Sequence, residues 1–123
     1  MSPLAAMVYQ VLRLRVPKPN WRKAVLDHSE LIAELYRLFP EAPRDLDLRD
    51  PRLDAAAVEL VEPCRAAKLP VISALIIHGD TRLPAESYFA AAHPGLDASA
   101  RREAWEKSLG EVIVTFYPAK LGG

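Results

Sequence analysis

Pro70-Val71-Ile72-Ser73-Ala74-Leu75-Ile76-Ile77-His78-Gly79-Asp80 is the stretch on which the fold turns. Val71 to Ile77 is short, aliphatic and almost unbroken, bounded by Pro70 before it and Gly79–Asp80 after it. That pattern predicts a strand covered on both faces. Backbone groups buried without partners cost about 1–3 kcal/mol each, so such a strand must pair with something. Residues 8–16 are one offer, since Leu12, Leu14 and Val16 alternate with Arg13 and Arg15 there. Residues 111–117 are another, because Val112 to Tyr117 are all good β-formers. A second copy of residues 71–77 is the third. The expectation is that one of the two segments is a strand, or that the protein is a homodimer.

Outward from this stretch, eleven prolines and five glycines divide the 123 residues. Prolines are tolerated poorly inside helices and central strands, so the intervals 20–39, 52–62, 71–83 and 95–117 are the candidate elements. Ser2–Pro3 is a helix start, a side-chain acceptor followed by a ring that presets φ. Leu4, Met7, Val8, Val11 and Leu12 then follow at helical spacing, which favours helix for the first half of this segment. Asn20 caps a second helix expected to run to about Leu38, with Trp21, Ala24, Val25, Ile32, Leu35 and Phe39 along one side. Phe39 to Pro51 reads as a surface connection. Asp50–Pro51 repeats the cap-then-proline start, and Pro63 is expected to break the helix that follows near Glu59, with Cys64 to Lys68 as a last turn. Ala85 to Ala92 favours a short helix. Asp97 or Ser99 starts the last one, in which Trp105, Leu109, Val112 and Phe116 share a face. The expected fold class is α+β, a mainly helical single domain (1–123) around a small sheet with residues 71–77 as its central strand.

Composition excludes several function classes. Sixteen basic residues balance sixteen acidic ones, and half the chain is hydrophobic, so neither a polycation nor a disordered tail fits. No apolar run reaches the length of a membrane span, and the arginines after the first apolar stretch are the wrong way round for a secretory signal. A single cysteine, Cys64, rules out an internal disulfide. A cytoplasmic protein without a membrane partner is expected.

Four groups of residues could carry chemistry. His78-Gly79-Asp80-Thr81 follows the expected strand, and imidazole beside carboxylate can make an oriented general base. A plain turn, with Gly79 at an unusual φ and Asp80 bonded to its own backbone, accounts for the same residues. Cys64 with His78 or His93 as base would be a nucleophile, but its place on an apolar helical stripe argues for a packed thiol. His28, His78 and His93, with Asp80 or Asp27, offer zinc-type donors at spacings that match no metal motif, so no metal is expected. The scattered glycines write no phosphate-cradling loop, so no nucleotide cofactor is expected either. The fourth group is basic. Residues 1–39 carry a net +3, and Arg13, Arg15, Lys18, Arg22 and Lys23 surround Trp21 with no acid between them. Cations for phosphates and a ring for stacking suit a nucleic acid, while a solvated loop with a core tryptophan is the plain account. Arg101 and Arg102 form a smaller cluster, offset by Glu103 and Glu106.

The run Lys68 to Ile77, with Thr81, Pro84, Tyr88 and Phe89, resembles a group of small uncharacterised bacterial proteins of the kind found in mobile elements and integron gene cassettes. The resemblance covers about a third of the chain. It implies a helix, a short leader before a proline, a Ser-containing apolar strand and a Thr-x-x-Pro loop leading into an aromatic pair. Arg82, Ala85 and Glu86 stand where that pattern has more glycine. It implies no activity. The order helix, helix, strand, loop, helix is also similar to winged-helix modules, including alkyltransferase-like DNA binders. Their Pro-Cys-His-Arg signature is missing, since Pro63–Cys64 is followed by Arg65.

The leading functional expectation is a non-catalytic binding protein that contacts a protein or small molecule through the 78–89 loop, using His78, Asp80, Thr81, Arg82 and Tyr88. Tyr88 and Phe89 would then form an exposed apolar patch. A winged-helix-like nucleic-acid binder using Arg13, Arg15, Lys18, Arg22 and Lys23 is the alternative. A small hydrolase or transferase using His78 and Asp80 is the weaker one.

Overall fold

In the computed structural model, which describes residues 1–18 and 20–121, Ile72–Leu75 form a 3-10 helix and only Ile76–Ile77 continue as a strand. Residues 71–77 are therefore not the seven-residue strand that their composition predicts. Full burial was the correct half of that reading: Ile72, Ala74, Leu75, Ile76 and Ile77 all lie in the core. The backbone groups find partners without a long ladder. Ala74 N–H donates to Val71 O and Ile76 N–H to Ser73 O, while the buried Trp105 indole Nε1 donates to Ala74 O at 2.9 Å.

Neither expected segment supplies the second strand. Residues 8–15 belong to helix α1 (Pro3–Arg15), started by Ser2, whose Oγ accepts from Ala5 N–H at 3.2 Å. Leu12 is buried and Leu14 exposed, so the helical period overrides the short alternation. Residues 113–117 are irregular after the last helix ends at Val112. Phe116, expected on that helix's apolar face, is 88% exposed because the helix stops before reaching it.

The partner comes from inside the expected second helix. Asn20 does cap a helix, with its side chain accepting from Lys23 N–H, but this α2 (Trp21–Ala24) is a single turn. Leu26–Asp27 then form strand β1, and helix α3 (His28–Leu38) starts afresh. The break has a local cause. Asp27 and Glu30 make a reciprocal capping box, with Asp27 Oδ1 accepting from Glu30 N–H at 2.9 Å and Glu30 Oε1 from Asp27 N–H at 3.1 Å. Arg15 reinforces it by donating to the carbonyls of Lys23, Ala24 and Val25 where α2 ends. β1 pairs in parallel with β2 (Ile76–Ile77), Leu26 opposite Ile76 and Asp27 opposite Ile77.

The other expected boundaries agree with the structure. Helix α4 (Pro51–Glu59) ends one residue before Leu60, and α5 (Val61–Ala66) carries Pro63. Helix α6 (Glu86–Ala92) and helix α7 (Ala98–Val112), capped by Asp97, are the last helices among the described residues. The result, among the described residues, is a mainly helical α+β fold with one two-stranded parallel sheet. α1 packs on α3, α4 and the 3-10 helix, α6 packs on α4, and α7 covers the 3-10 helix. Residues 117–121 return over α1, where Tyr9 Oη donates to Pro118 O and Tyr117 Oη donates to Pro70 O at 2.7 Å. No helix among the described residues is long and apolar enough to cross a membrane.

Candidate functional site

Parallel pairing in this register has a consequence at the carboxyl ends of the strands. His28 is the residue after β1 and His78 the residue after β2, so the two imidazoles meet side by side with ring centroids 4.7 Å apart. The third member is Asp54, in the first turn of α4, which Asp50 starts by accepting from Arg52 N–H. Asp54 Oδ1 lies 3.3 Å from His28 Nε2 and 3.3 Å from His78 Nε2. His28 is only 2% exposed, while the Asp54 and His78 side chains are each 26% exposed. The end of a sheet at the strands' carboxyl termini is where open α/β sheets take their ligands.

Asp54 and His78 form one wall of a cleft of about 490 Å3. Thr81, Leu83 and Pro84 line it as well, together with Arg101 and Arg102 of α7. The 78–83 segment is held as a tight turn, His78 N–H donating to Leu83 O and Arg82 N–H to His78 O, both at 2.9 Å. Its left-handed residue is Arg82, at φ 58°, and not Gly79 as the turn reading expects. Arg101 bonds Glu86 at 2.6 Å and lies over the Phe89 ring at 5.4 Å.

Comparison with protein-family models, with curated proteins and with solved structures finds no match to this chain.

The residues singled out in sequence are distributed unevenly over this geometry. His78, Asp80 and Thr81 do line the cleft. His78 Nε2 lies 3.3 Å from Asp54 Oδ1, however, whereas Asp80 is largely exposed and faces Arg49 at 3.6 Å. Arg82 is exposed and its closest acidic partner is Asp27, at 4.0 Å. Tyr88 is 1% exposed and packs edge-on against the buried Phe89 at 5.3 Å. Its phenol pKa is raised by burial. The expected apolar patch therefore does not form: α6 turns the aromatic pair inward, because the face carrying Tyr88, Phe89 and Ala92 is the one packed on the core.

The basic segment is partly committed to structure. Arg15 closes the end of α2, Arg13 bonds Gln10, and Arg22 lies over the Trp21 ring at 4.5 Å. Trp21 itself packs edge-on against Trp105 at 5.8 Å. Lys18, Arg22 and Lys23 are exposed. Cys64 is fully buried, and burial pushes its thiol pKa up, away from the thiolate a nucleophile needs. His93 contacts Ser108 Oγ at 3.4 Å, and burial first, then the Arg65 charge, lowers its pKa.

Asp54 is the member that sequence reasoning misses. Nothing local marks it, since it follows Leu53 on a helix like any solvent-facing carboxylate. Arg101 and Arg102 were visible as a pair but not as lining of the same cleft as the 78–83 turn. The one available signal was the Asp27-x-x-Glu30 box, which places a new helix start directly before His28.

Proposed function

We propose that this chain is a small binding protein that takes a small molecule in the cleft between the 78–87 segment and the start of α7. The observation that carries the reading is the cleft itself. Its volume of about 490 Å3 falls within the range of small-molecule sites. Its lining is apolar at Leu83, Pro84 and Phe89 and charged at Arg101 and Arg102, beside the carboxylates of Asp54, Asp80 and Glu86. A ligand with an apolar body and a carboxylate or phosphate end fits that chemistry, its anion taking guanidinium hydrogen bonds. Arg101 now uses Glu86, a highly exposed partner, and exposed pairs of this kind are worth little, so a ligand anion can replace it.

The kinship of residues 68–89 with mobile-element proteins belongs to the same proposal. Thr81, Pro84 and Phe89, which carry part of that resemblance, are cleft residues. A cytoplasmic setting goes with it. The nucleic-acid reading draws less support, because Trp105 and Arg22 both pack against Trp21, leaving little of its ring for a base. A hydrolase or transferase remains the second reading, favoured by one observation: the His78 imidazole and the Asp54 carboxylate stand 3.3 Å apart at the cleft.

The test is amide chemical-shift mapping against a fragment set of aryl carboxylates and phosphate monoesters. Shifts clustered in residues 80–87 and 98–102, lost in Arg102→Ala, are expected. No shifts at millimolar fragment, or shifts centred on another face, overturn the reading.

A further inference from the structure

We propose that His28 Nε2, Asp54 Oδ1 and His78 Nε2 are the three protein ligands of a divalent transition-metal site, with zinc the fitting ion. The inference goes beyond the small-molecule reading and stands without it.

The first argument is the tautomer of His28. Its Nδ1 lies 3.1 Å from Leu48 O, and a carbonyl can only accept, so Nδ1 carries the proton of that bond. With the proton on Nδ1, Nε2 is the nitrogen left to serve as a ligand. It is buried and makes no aligned hydrogen bond, yet a carboxylate oxygen stands 3.3 Å away. Two such acceptors facing each other need something positive between them, a proton or a metal ion, and a contact without hydrogen-bond alignment suits the ion. An imidazole whose far nitrogen donates to a backbone carbonyl is the usual support for a metal-bound histidine, because it fixes both tautomer and ring orientation.

The second argument is distance. Four-coordinate zinc holds nitrogen and oxygen ligands at about 2.0–2.1 Å, which sets tetrahedral neighbours about 3.3 Å apart. Both histidine-to-Asp54 separations are 3.3 Å, and all three donor atoms lie within 4.8 Å of one another. The two separations match two of a tetrahedron's edges, and the third, between the histidine nitrogens, needs only a small ring rotation to close from its 4.8 Å bound.

Donor chemistry selects the ion. Two imidazoles and one carboxylate are too nitrogen-rich for calcium or magnesium, which take oxygen shells. They suit first-row transition ions, among which zinc binds more tightly than iron or manganese at a given site. Three protein ligands leave a position for water or for a ligand, the arrangement of catalytic rather than structural zinc sites. Asp54 and His78 border the cleft, so that position is within reach of whatever the cleft admits.

The test uses the full chain after chelator treatment, titrated with Zn2+ by calorimetry and with Co2+ by visible absorption. One equivalent of Zn2+ per chain and an intense tetrahedral Co2+ spectrum are expected. Asp54→Asn and His78→Ala should each weaken binding more than about tenfold, whereas Asp80→Ala and Arg102→Ala should leave it unchanged. His28 is a core residue, so the half-exposed pair carries the test, and His78→Gln replaces His78→Ala if the latter loses its helical circular dichroism. Substoichiometric binding, or binding that survives both Asp54→Asn and the His78 variant, overturns the proposal. A cobalt spectrum with no fragment shifts would sink the small-molecule reading alone, and the converse would sink only the metal.

Discussion

A buried carboxylate, Asp50, shows how much one residue can fix. It is 4% exposed, caps α4, and accepts from Arg52 Nε at 2.9 Å and Nη2 at 2.7 Å as well as from the backbone of Arg52 and Asp47. The Arg52 side-chain bonds, ahead of the backbone ones, hold its carboxyl well below the ordinary carboxylate range. The folded state thus binds the proton more weakly than the unfolded chain. Its contribution is complete above about pH 4, the unfolded carboxylate value, and is lost as pH falls below that. Asp50→Ala is expected to remove the cap, worth about 1 kcal/mol at neutral pH. It should also flatten the acid limb of stability against pH in urea titrations. An acid limb as steep as the parent's would show that other carboxylates dominate it.

At the scale of elements, the Asp27–Glu30 box decides more than any propensity. Without it, residues 20–38 read as one amphipathic helix, and Trp21, Ala24, Ile32 and Leu35 keep nearly the right spacing across the break. With it, two residues are released to pair with Ile76–Ile77 and His28 is delivered to the cluster. Asp27→Ala is expected to cost about 1 kcal/mol from the lost cap. Combined with Glu30→Ala, the double variant should cost less than the sum of the two, because each side chain bonds the other's backbone. Strict additivity in denaturant unfolding would mean the box is not formed in solution. The break at Leu60 was legible because Pro63 removes a specific donor, whereas the break at Val25 has no proline to announce it.

Across the whole molecule, tyrosines bind the ends of the chain to its middle. Tyr9 reaches Pro118, Tyr117 reaches Pro70, and Tyr88, on the inner face of α6, is buried in the core between them in sequence. Burial is the first cause of a raised phenol pKa at all three. A phenol with a raised folded value keeps its contribution below about pH 10 and loses it as pH climbs further, because the unfolded chain ionises first. Tyr88 and Tyr117 should each remove up to about 1.4 kcal/mol of stability per pH unit above that point. Tyrosinate absorbance is expected to rise together with loss of helical circular dichroism. A separate rise near pH 10 from all the tyrosines, with the helices intact, would contradict their burial.

Several features were determined by the amino-acid order alone. Cap-then-proline starts at Ser2 and Asp50, the stop after Leu38, the break near Glu59 and the burial of residues 72–77 all depend on groups within a few positions of one another. Those interactions are local, so they are visible as spacing. The tertiary structure decided the rest. Whether a buried aliphatic run is strand or 3-10 helix depends on who satisfies its carbonyls, and here the indole of Trp105, thirty-one positions away, does so for Ala74. The meeting of His28, Asp54 and His78 depends on a strand register and on where α4 docks, and the direction of Tyr88 on which face of α6 the core covers. None of these is a property of neighbours in sequence, since each is set by atoms that approach only after the chain has packed.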